Sequence, residues 1–407
     1  MGLSGEQYDV IVVGAGIMGS SAAYQLAKRG QKVLLLEQFD FLHHRGSSHG
    51  ESRTMRATYP DAYYCDMAVE ASRLWEEAES EMGYRVYFKC PNFDMGPAEN
   101  KSLRTIISSC RERSIDCRVL DHRQVDEEFN GRIRIPEDWI GVCTELGGVI
   151  KPTKAVSMFQ TLAFRNGAVL RDRTEVKEIV RDDVNGGILV VGDGEGDKFW
   201  GRKCVVTVGA WTEKLVKRVS GIELPVQPVE TTVCYWRVKE GQEGKLAIGG
   251  GFPTFASYGR PGVYGTPALE FPGLIKVTLT GGYPCDPDKR PWGPGKPTEE
   301  MEEWIESTFG GLVETGGGPV SKQSCMCCMT PDKDYVIDFL GGEFGKDVVV
   351  GGGFSGHGFK MGPAVGKMLA DLAVEGEVKG AVEEETLRYF RIQRFVENPL
   401  GNPKDFL

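Results

Sequence analysis

The sequence predicts an α/β chain, α+β overall. A parallel, helix-covered sheet domain comes first, with a smaller antiparallel or mixed-sheet domain inserted into it. Three observations predict this. A strand, a glycine turn and a helix follow one another at the N-terminus. A second strand–glycine–helix unit recurs more than three hundred residues later. Between them lies a stretch, residues 225–324, poor in helical periodicity and rich in short β runs and Gly/Pro turns.

The N-terminal unit is the most informative. Asp9-Val10-Ile11-Val12-Val13 is a short β-branched run of the kind buried in parallel sheets. It leads into Gly14-Ala15-Gly16-Ile17-Met18-Gly19, then a helical pattern from Ser20 to Lys28, then Lys32-Val33-Leu34-Leu35-Leu36-Glu37, a strand ending in an acid. Strand, G-x-G-x-x-G, helix, strand and acid in register is the Rossmann-like dinucleotide signature, with the acid near the ~20-residue spacing expected. Gly14 permits the tight turn, Gly16 lets the backbone approach a pyrophosphate, and Gly19 lets the helix pack close to the strand. The free N–H groups of the helix start hold the phosphates. Glu37 accepts hydrogen bonds from a ribose and repels a 2′-phosphate. The motif alone does not separate NAD from FAD.

The second unit is Asp347-Val348-Val349-Val350, then Gly351 to Lys360 with five glycines in all, then an apolar helix from Pro363 to Ala373. A simple NAD domain has no need of it. A flavin enzyme can aim such a helix start at the flavin ring, where its dipole stabilises negative charge. A purely structural turn is the alternative. Lys203 to Val208 reads as a further strand, ending in Gly209-Ala210-Trp211. Gly147-Gly148-Val149 reads as a loop before a helix from Thr153, and parts of Val169–Phe199 alternate as antiparallel strands do. These signals divide the chain into a discontinuous nucleotide domain (1–85, 150–225 and 325–395), an inserted domain (86–149 and 226–324) and a tail (396–407).

Composition narrows the function. With 407 residues, 41% apolar and 26% charged, the chain has the make-up of a two- or three-domain globular protein, not a disordered or fibrous one. The net charge of -10 and the lack of a basic stripe argue against nucleic acid. No apolar run approaches the ~18 residues of a membrane helix. Met1–Tyr8 is short and polar, which predicts no secretory signal, and Glu6 stands where myristoylation requires Ser or Thr. Asp405-Phe406-Leu407 is not a peroxisomal S-K-L address, so the cytoplasm is expected and the peroxisome left open. The 11 cysteines are odd in number and scattered, which fits a reducing compartment. Cys325-Met326-Cys327-Cys328 holds a C-x-x-C without a second pair, so no metal site is expected.

Three segments besides the first glycine motif together resemble the monomeric sarcosine oxidase and pipecolate oxidase family: Gly46-Ser47-Ser48-His49-Gly50-Glu51-Ser52-Arg53-Thr54-Met55-Arg56, Cys325-Met326, and Gly353-Phe354-Ser355-Gly356-His357-Gly358-Phe359-Lys360. The resemblance covers nearly the whole chain. It implies an FAD domain plus a sheet-based substrate domain, monomeric, that oxidises secondary amines such as N-methyl or cyclic amino acids. Hydride passes from the carbon beside nitrogen to the flavin, and O2 reoxidises it to give hydrogen peroxide.

The resemblance also implies roles. Cys325 matches the cysteine that attaches FAD covalently; a buried free thiol is the alternative. Arg56 and Lys360 match the pair that binds the substrate carboxylate, against the alternative of ordinary salt bridges. Arg53 and His49 match residues beside the flavin, where positive charge favours the reduced anion. Lys276, in the otherwise apolar run Leu274–Thr278, matches the oxygen-activating lysine; an edge-strand lysine is the other reading. Tyr264 matches an aromatic wall of the substrate pocket. Cofactor contacts carry over to Gly14, Gly16, Ile17, Met18, Gly19, Glu37, Ser47, Ser48, Val176, Gly209, Trp211, Gly353, Gly356, His357, Gly358 and Phe359. Two positions depart from the family: Thr280 replaces a histidine and Cys327 replaces a tyrosine. They leave open an amine of specialised, alkaloid-type metabolism. A flavin dehydrogenase that does not use oxygen, and a flavin-binding protein without catalysis, are the remaining alternatives; Lys276 argues against the first, and Arg56, Lys276 and Lys360 together against the second.

Overall fold

Runs of β-branched and leucine residues build the centre of the molecule. In the computed structural model, which describes residues 6–269, 271–289, 295–380 and 384–406, Gln7–Val13 lies between Val33–Leu36 and Lys198–Val206. All three run parallel, with Val12 opposite both Leu35 and Val205. Val348–Gly352 continues the parallel order beyond Lys198–Val206. Val33–Leu36 is buried throughout, as a strand covered on both faces must be. Val169–Arg171 extends this eight-stranded sheet at one edge. Val176–Arg181, Ile188–Gly192 and Val336–Phe339 join it antiparallel.

Three helices cover one face. Ile17–Lys28 packs against Pro152–Arg165 and Gly362–Glu375. Small residues allow the approach: Ala22 and Ala23 are fully buried, and a Cβ on Gly366 would stand 2.4 Å from Ser21 Oγ.

A second, nine-stranded sheet takes its strands from Asn92–Pro97 through Trp139–Thr144 and from Gln227–Arg237 through Ser321–Met329. Its pairings are antiparallel except where Thr254–Ser257 meets Asn92–Pro97. The helix Glu299–Thr308 closes its core, with Trp304 stacked on Phe255 at 6.0 Å between centroids. Ser321–Met329 runs straight through position 325, where the sequence places a segment boundary, so Cys325 stands on this second sheet.

A small third sheet joins Arg53–Arg56, Gly147–Ile150 and Tyr87–Lys89. Here Gly147-Gly148-Val149 is a strand, not the loop that glycine content suggests. The glycines serve close packing, since a Cβ on Gly148 would stand 2.5 Å from Phe88 O. The following helix starts at Pro152, a position that suits proline because its missing N–H has no helical partner there. This sheet matters because it carries both arginines of the site. Among the described residues no helix is long and apolar enough to cross a membrane, no cluster of metal-binding side chains forms, and all the cysteines are free.

Candidate active site

A cavity of about 1050 Å³ runs between the two large sheets, from the first glycine turn to the second. One end is built by the turn after Gln7–Val13. Gly14 has φ +95°, and a Cβ there would stand 2.5 Å from Thr207 O. A Cβ on Gly16 would stand 3.0 Å from Ser48 Oγ. Ser48 Oγ accepts from Ile17 N–H at 3.1 Å and so fixes the Ser47-Ser48 loop on the helix start, which no side chain of its own N-cap satisfies. Glu37 is buried and accepts from Ala15 N–H (2.9 Å) and Phe39 N–H (3.1 Å). Two accepted bonds leave a carboxylate with further acceptor capacity. Val176, Gly209 and Trp211 complete the walls at this end. This is a cradle that side chains would fill, with a buried acid beside a helix N-terminus, and it fits a dinucleotide such as FAD.

The middle is dominated by Arg53. Its guanidinium donates to three carbonyls, Ser52 O (3.0 Å), Ser47 O (2.9 Å) and His49 O (2.6 Å), and to Cys325 Sγ at 3.5 Å. None of these partners is a carboxylate. Burial alone would raise the Cys325 thiol; Arg53, the neighbouring His49 imidazole and the Met326 backbone outweigh it and bring the thiol down to about 6. Lys276, on Leu274–Leu279, is 3% exposed. Its ammonium donates to Ser52 O at 3.1 Å and lies 5.4 Å from the Tyr264 ring centre. Burial, helped by Arg53 and opposed by Cys325, lowers Lys276 to about 7. Burial also raises the Tyr264 hydroxyl.

At the far end Arg56 and Lys360 converge on Tyr59, 5.0 and 5.7 Å from its ring centre. Lys360 comes from the second glycine turn, where Gly353, Ser355 and Gly356 all have positive φ. Ser355 tolerates this because its hydroxyl bonds Gly353 O and Thr330, and its N–H bonds Cys328 O at 2.8 Å. Lys360 Nζ donates to His357 O at 3.2 Å. Burial pushes Lys360 well down, and Arg56 adds to that. His357 is brought down to about 3 by burial and by Lys360, and is neutral at ordinary pH. Its ring meets Tyr335 OH at 2.9 Å and Lys333 O at 3.0 Å, so both nitrogens are engaged.

The structure separates some expected site residues from the cavity. Gly14, Gly16, Ile17, Met18, Glu37, Ser47, Ser48, Arg53, Arg56, Tyr264 and Lys276 line it, as do Cys325, Cys327 and Gly356 to Lys360. Gly19, His49 and Gly353 do not. Gly19 and Gly353 stand behind the turns they permit: a Cβ would be 1.9 Å from Gly14 O at Gly19, and 2.6 Å from Thr330 Cγ2 at Gly353. His49, expected beside the flavin, is 7% exposed, stacks on His44 and touches the site through Cys325 and Arg53. Thr280 lies at the exposed rim with its hydroxyl turned to Gly262 O (3.3 Å). The Cys327 thiol faces the second glycine turn and is pushed up to about 12 by burial.

Sequence reasoning missed Asp94, Tyr258 and Tyr59. Arg56 Nη1 donates to Asp94 Oδ1 at 3.0 Å and to Tyr258 OH at 2.7 Å. Asp94 is fully buried on Asn92–Pro97. A signal existed: Asn92 and Asp94 are two polar residues on one face of an otherwise apolar strand.

This geometry defines a flavin oxidoreductase, and the comparisons agree. A family model described as DAO, FAD dependent oxidoreductase, matches residues 9–372, and the chain belongs to that family. It is 64% identical over 400 residues to a "Probable sarcosine oxidase" of Arabidopsis thaliana, covering 98% of this chain and 95% of that one. It is 35% identical to a "Peroxisomal sarcosine oxidase" of Homo sapiens, covering 95% and 96%. Its fold matches that of L-proline dehydrogenase from P. horikoshii, with a TM-score of 0.78 at 22% identity over 96% of this chain and 98% of that one. The protein is an FAD-dependent oxidoreductase acting on amine CH–NH bonds, of the sarcosine oxidase type.

Proposed function

We propose that the chain oxidises a secondary amine carrying one carboxylate, an N-methyl or cyclic amino acid of the sarcosine, pipecolate or proline type, giving an imine and, with O2, hydrogen peroxide. The observation that carries this reading is the convergence of Arg56 and Lys360 on Tyr59 in the cavity, next to the Arg53–Cys325–Lys276 cluster. Bound FAD supplies the two-electron acceptor for hydride leaving the carbon beside nitrogen.

The chain's own residues do the rest. Arg56 and Lys360 hold the carboxylate and so place the amine nitrogen and its neighbouring carbon. Tyr59, Tyr258 and Tyr264 exclude water around them. The amine binds neutral, because an ammonium here would join Arg53 and Arg56 in one desolvated space. His357 is not a free base for that proton, since both ring nitrogens are engaged. Lys276 presents a cation where O2 gains negative charge. Cys325, held as thiolate by Arg53, is the group that attaches FAD covalently. The chain works as a monomer in the cytoplasm.

Anaerobic titration of the yellow protein with sarcosine and L-pipecolate tests the reading. Bleaching of the flavin band by either, reversed by air with peroxide formed, supports it. A protein that stays yellow with both refutes it and shifts the assignment to a larger, specialised amine, with Thr280 and Cys327 as the positions that changed the substrate.

A further inference from the structure

Asp94 stands behind Arg56, fully buried and outside the cavity lining, yet an anion so close to the carboxylate anchor is out of place where an anionic substrate is to bind. Its surroundings explain it. The Arg56 side chain is 19% exposed and Asp94 is 0% exposed, so the pair sits at the wall with the carboxylate on the inner side. Asp94 Oδ1 accepts from Arg56 Nη1 at 3.0 Å, and Oδ2 accepts from Asn92 Nδ2 at 2.9 Å and from the Thr58 hydroxyl. Asn92 is held in turn, accepting from Thr254 Oγ1 at 3.0 Å and donating to Thr58 Oγ1 at 3.2 Å. Burial pushes the Asp94 carboxyl up, while the charge of Arg56 and the bonds from Thr58, Asn92 and Arg56 act the other way and favour its ionised form.

A guanidinium offers five N–H donors in a rigid plane, and its Nε–Nη2 edge matches a carboxylate in two parallel bonds. In Arg56, Nη1 is spent on Asp94 and Tyr258. Among the described residues the Nε–Nη2 edge makes no hydrogen bond, although the residue lines the cavity.

We propose that Asp94 is a positioning residue: it clamps Arg56 by Nη1 so that the Nε–Nη2 edge stands ready for the substrate carboxylate. This rests on Arg56 being the carboxylate anchor. The alternative is that Asp94 only balances charge, and the two roles differ in sign. Removing a balancing anion strengthens the binding of a carboxylate. Removing a clamp weakens it, because Arg56 must then be ordered by the ligand itself.

The test is Asp94→Asn in the holoenzyme, titrated with propionate (a carboxylate without an amine) and pyrrolidine (an amine without a carboxylate), each followed by the flavin spectrum. The clamp predicts propionate binding about ten-fold weaker, pyrrolidine binding unchanged, and KM raised with kcat nearly kept. Thr58→Val, which removes one donor to Asp94 and keeps every charge, gives a smaller loss of the same sign and decides the matter if Asp94→Asn does not fold. Propionate bound as tightly as in the wild type, or more tightly, by the variant that folds overturns the proposal. Arg56→Gln separates the two readings. If it keeps propionate affinity, the anchor itself is wrong. If it loses affinity while Asp94→Asn does not, the anchor stands and the clamp falls.

Discussion

Lys276→Met removes one buried cation and leaves a side chain of similar length. Lys276 is 3% exposed, donates to one carbonyl, and has no carboxylate partner among the described residues. No carboxylate among them cancels its charge, and the one anionic neighbour, the Cys325 thiolate, would be neutral as a thioether, which leaves the cation free to stabilise an anion forming beside it. Removing one preorganised donor of this kind typically costs ~3–4 kcal/mol, or ~10²–10³ in rate. The loss should fall on one half-reaction. Stopped-flow measurement should find flavin reduction by the amine changed by less than about three-fold, and reoxidation by O2 slowed by the full factor. The pH profile adds a second check. The lysine is lowered to about 7, so it is charged below that value and neutral above it. Wild-type reoxidation should therefore fall as pH rises through that midpoint, which negative charge on the reduced cofactor moves upward. The variant should be flat over the same range. Equal slowing of both half-reactions, or the same pH profile in both proteins, refutes the reasoning.

The same substitution should raise stability. A lysine whose folded pKa lies below its unfolded value binds fewer protons when folded, so its penalty is full at low pH and is relieved as pH rises from about 7 towards the ordinary lysine value. Lys276→Met should thus stabilise the protein at neutral pH by on the order of a few kcal/mol, read as a higher urea midpoint, with the gain shrinking at pH 10; a loss of stability at pH 7 contradicts the assigned burial cost. Cys325→Ser should keep FAD in the native protein yet release it on acid precipitation, where the wild type keeps the colour in the pellet; release from both excludes covalent attachment. Gly19→Ala places a methyl 1.9 Å from Gly14 O and 2.5 Å from Thr207 Oγ1, and no rotamer can move a Cβ. It should lower stability by at least ~1–3 kcal/mol and reduce flavin content, so full flavin and an unchanged melting temperature would show that the helix can retreat.

Legibility tracked locality. The glycine turn, Glu37 and the parallel strands were readable because the residues that specify them are neighbours: a β-branched run, three glycines and an acid at fixed spacing. Arg53, Arg56, Cys325 and Lys360 were readable only through resemblance, since nothing near each of them in sequence says that they meet. Gly147–Ile150 was misread because glycine punctuates loops and also permits close strand packing, and only the partner strand Arg53–Arg56 decides between the two. The resemblance puts His49 beside the cofactor, whereas the structure buries it outside the cavity lining, against His44, with its carbonyl on Arg53 and its ring beside Cys325. The sequence is silent on what Asp94 does, since its meaning depends on Arg56, 38 positions away.

Arg53 ties the site together more tightly than the separate roles suggest. One guanidinium, paired with no carboxylate among the described residues, draws the Cys325 thiol down to about 6 and helps lower Lys276 to about 7. The two shifts have opposite consequences for charge. The first creates an anion at neutral pH, and the second makes a cation easier to lose. A thiolate in turn supports the Lys276 charge, and covalent attachment would remove that support, because a thioether is neutral. Before attachment, then, the centre is balanced: Arg53 with Cys325, and Lys276 at the edge of ionisation. Were Cys325 a thioether, Arg53 and Lys276 would keep no anionic side-chain partner among the described residues. That excess of positive charge has one natural partner, the negative charge that arrives when the cofactor is reduced. Such an arrangement would be costly for the protein alone and favourable beside a reduced cofactor, and that balance would account for a buried cation in an otherwise apolar strand.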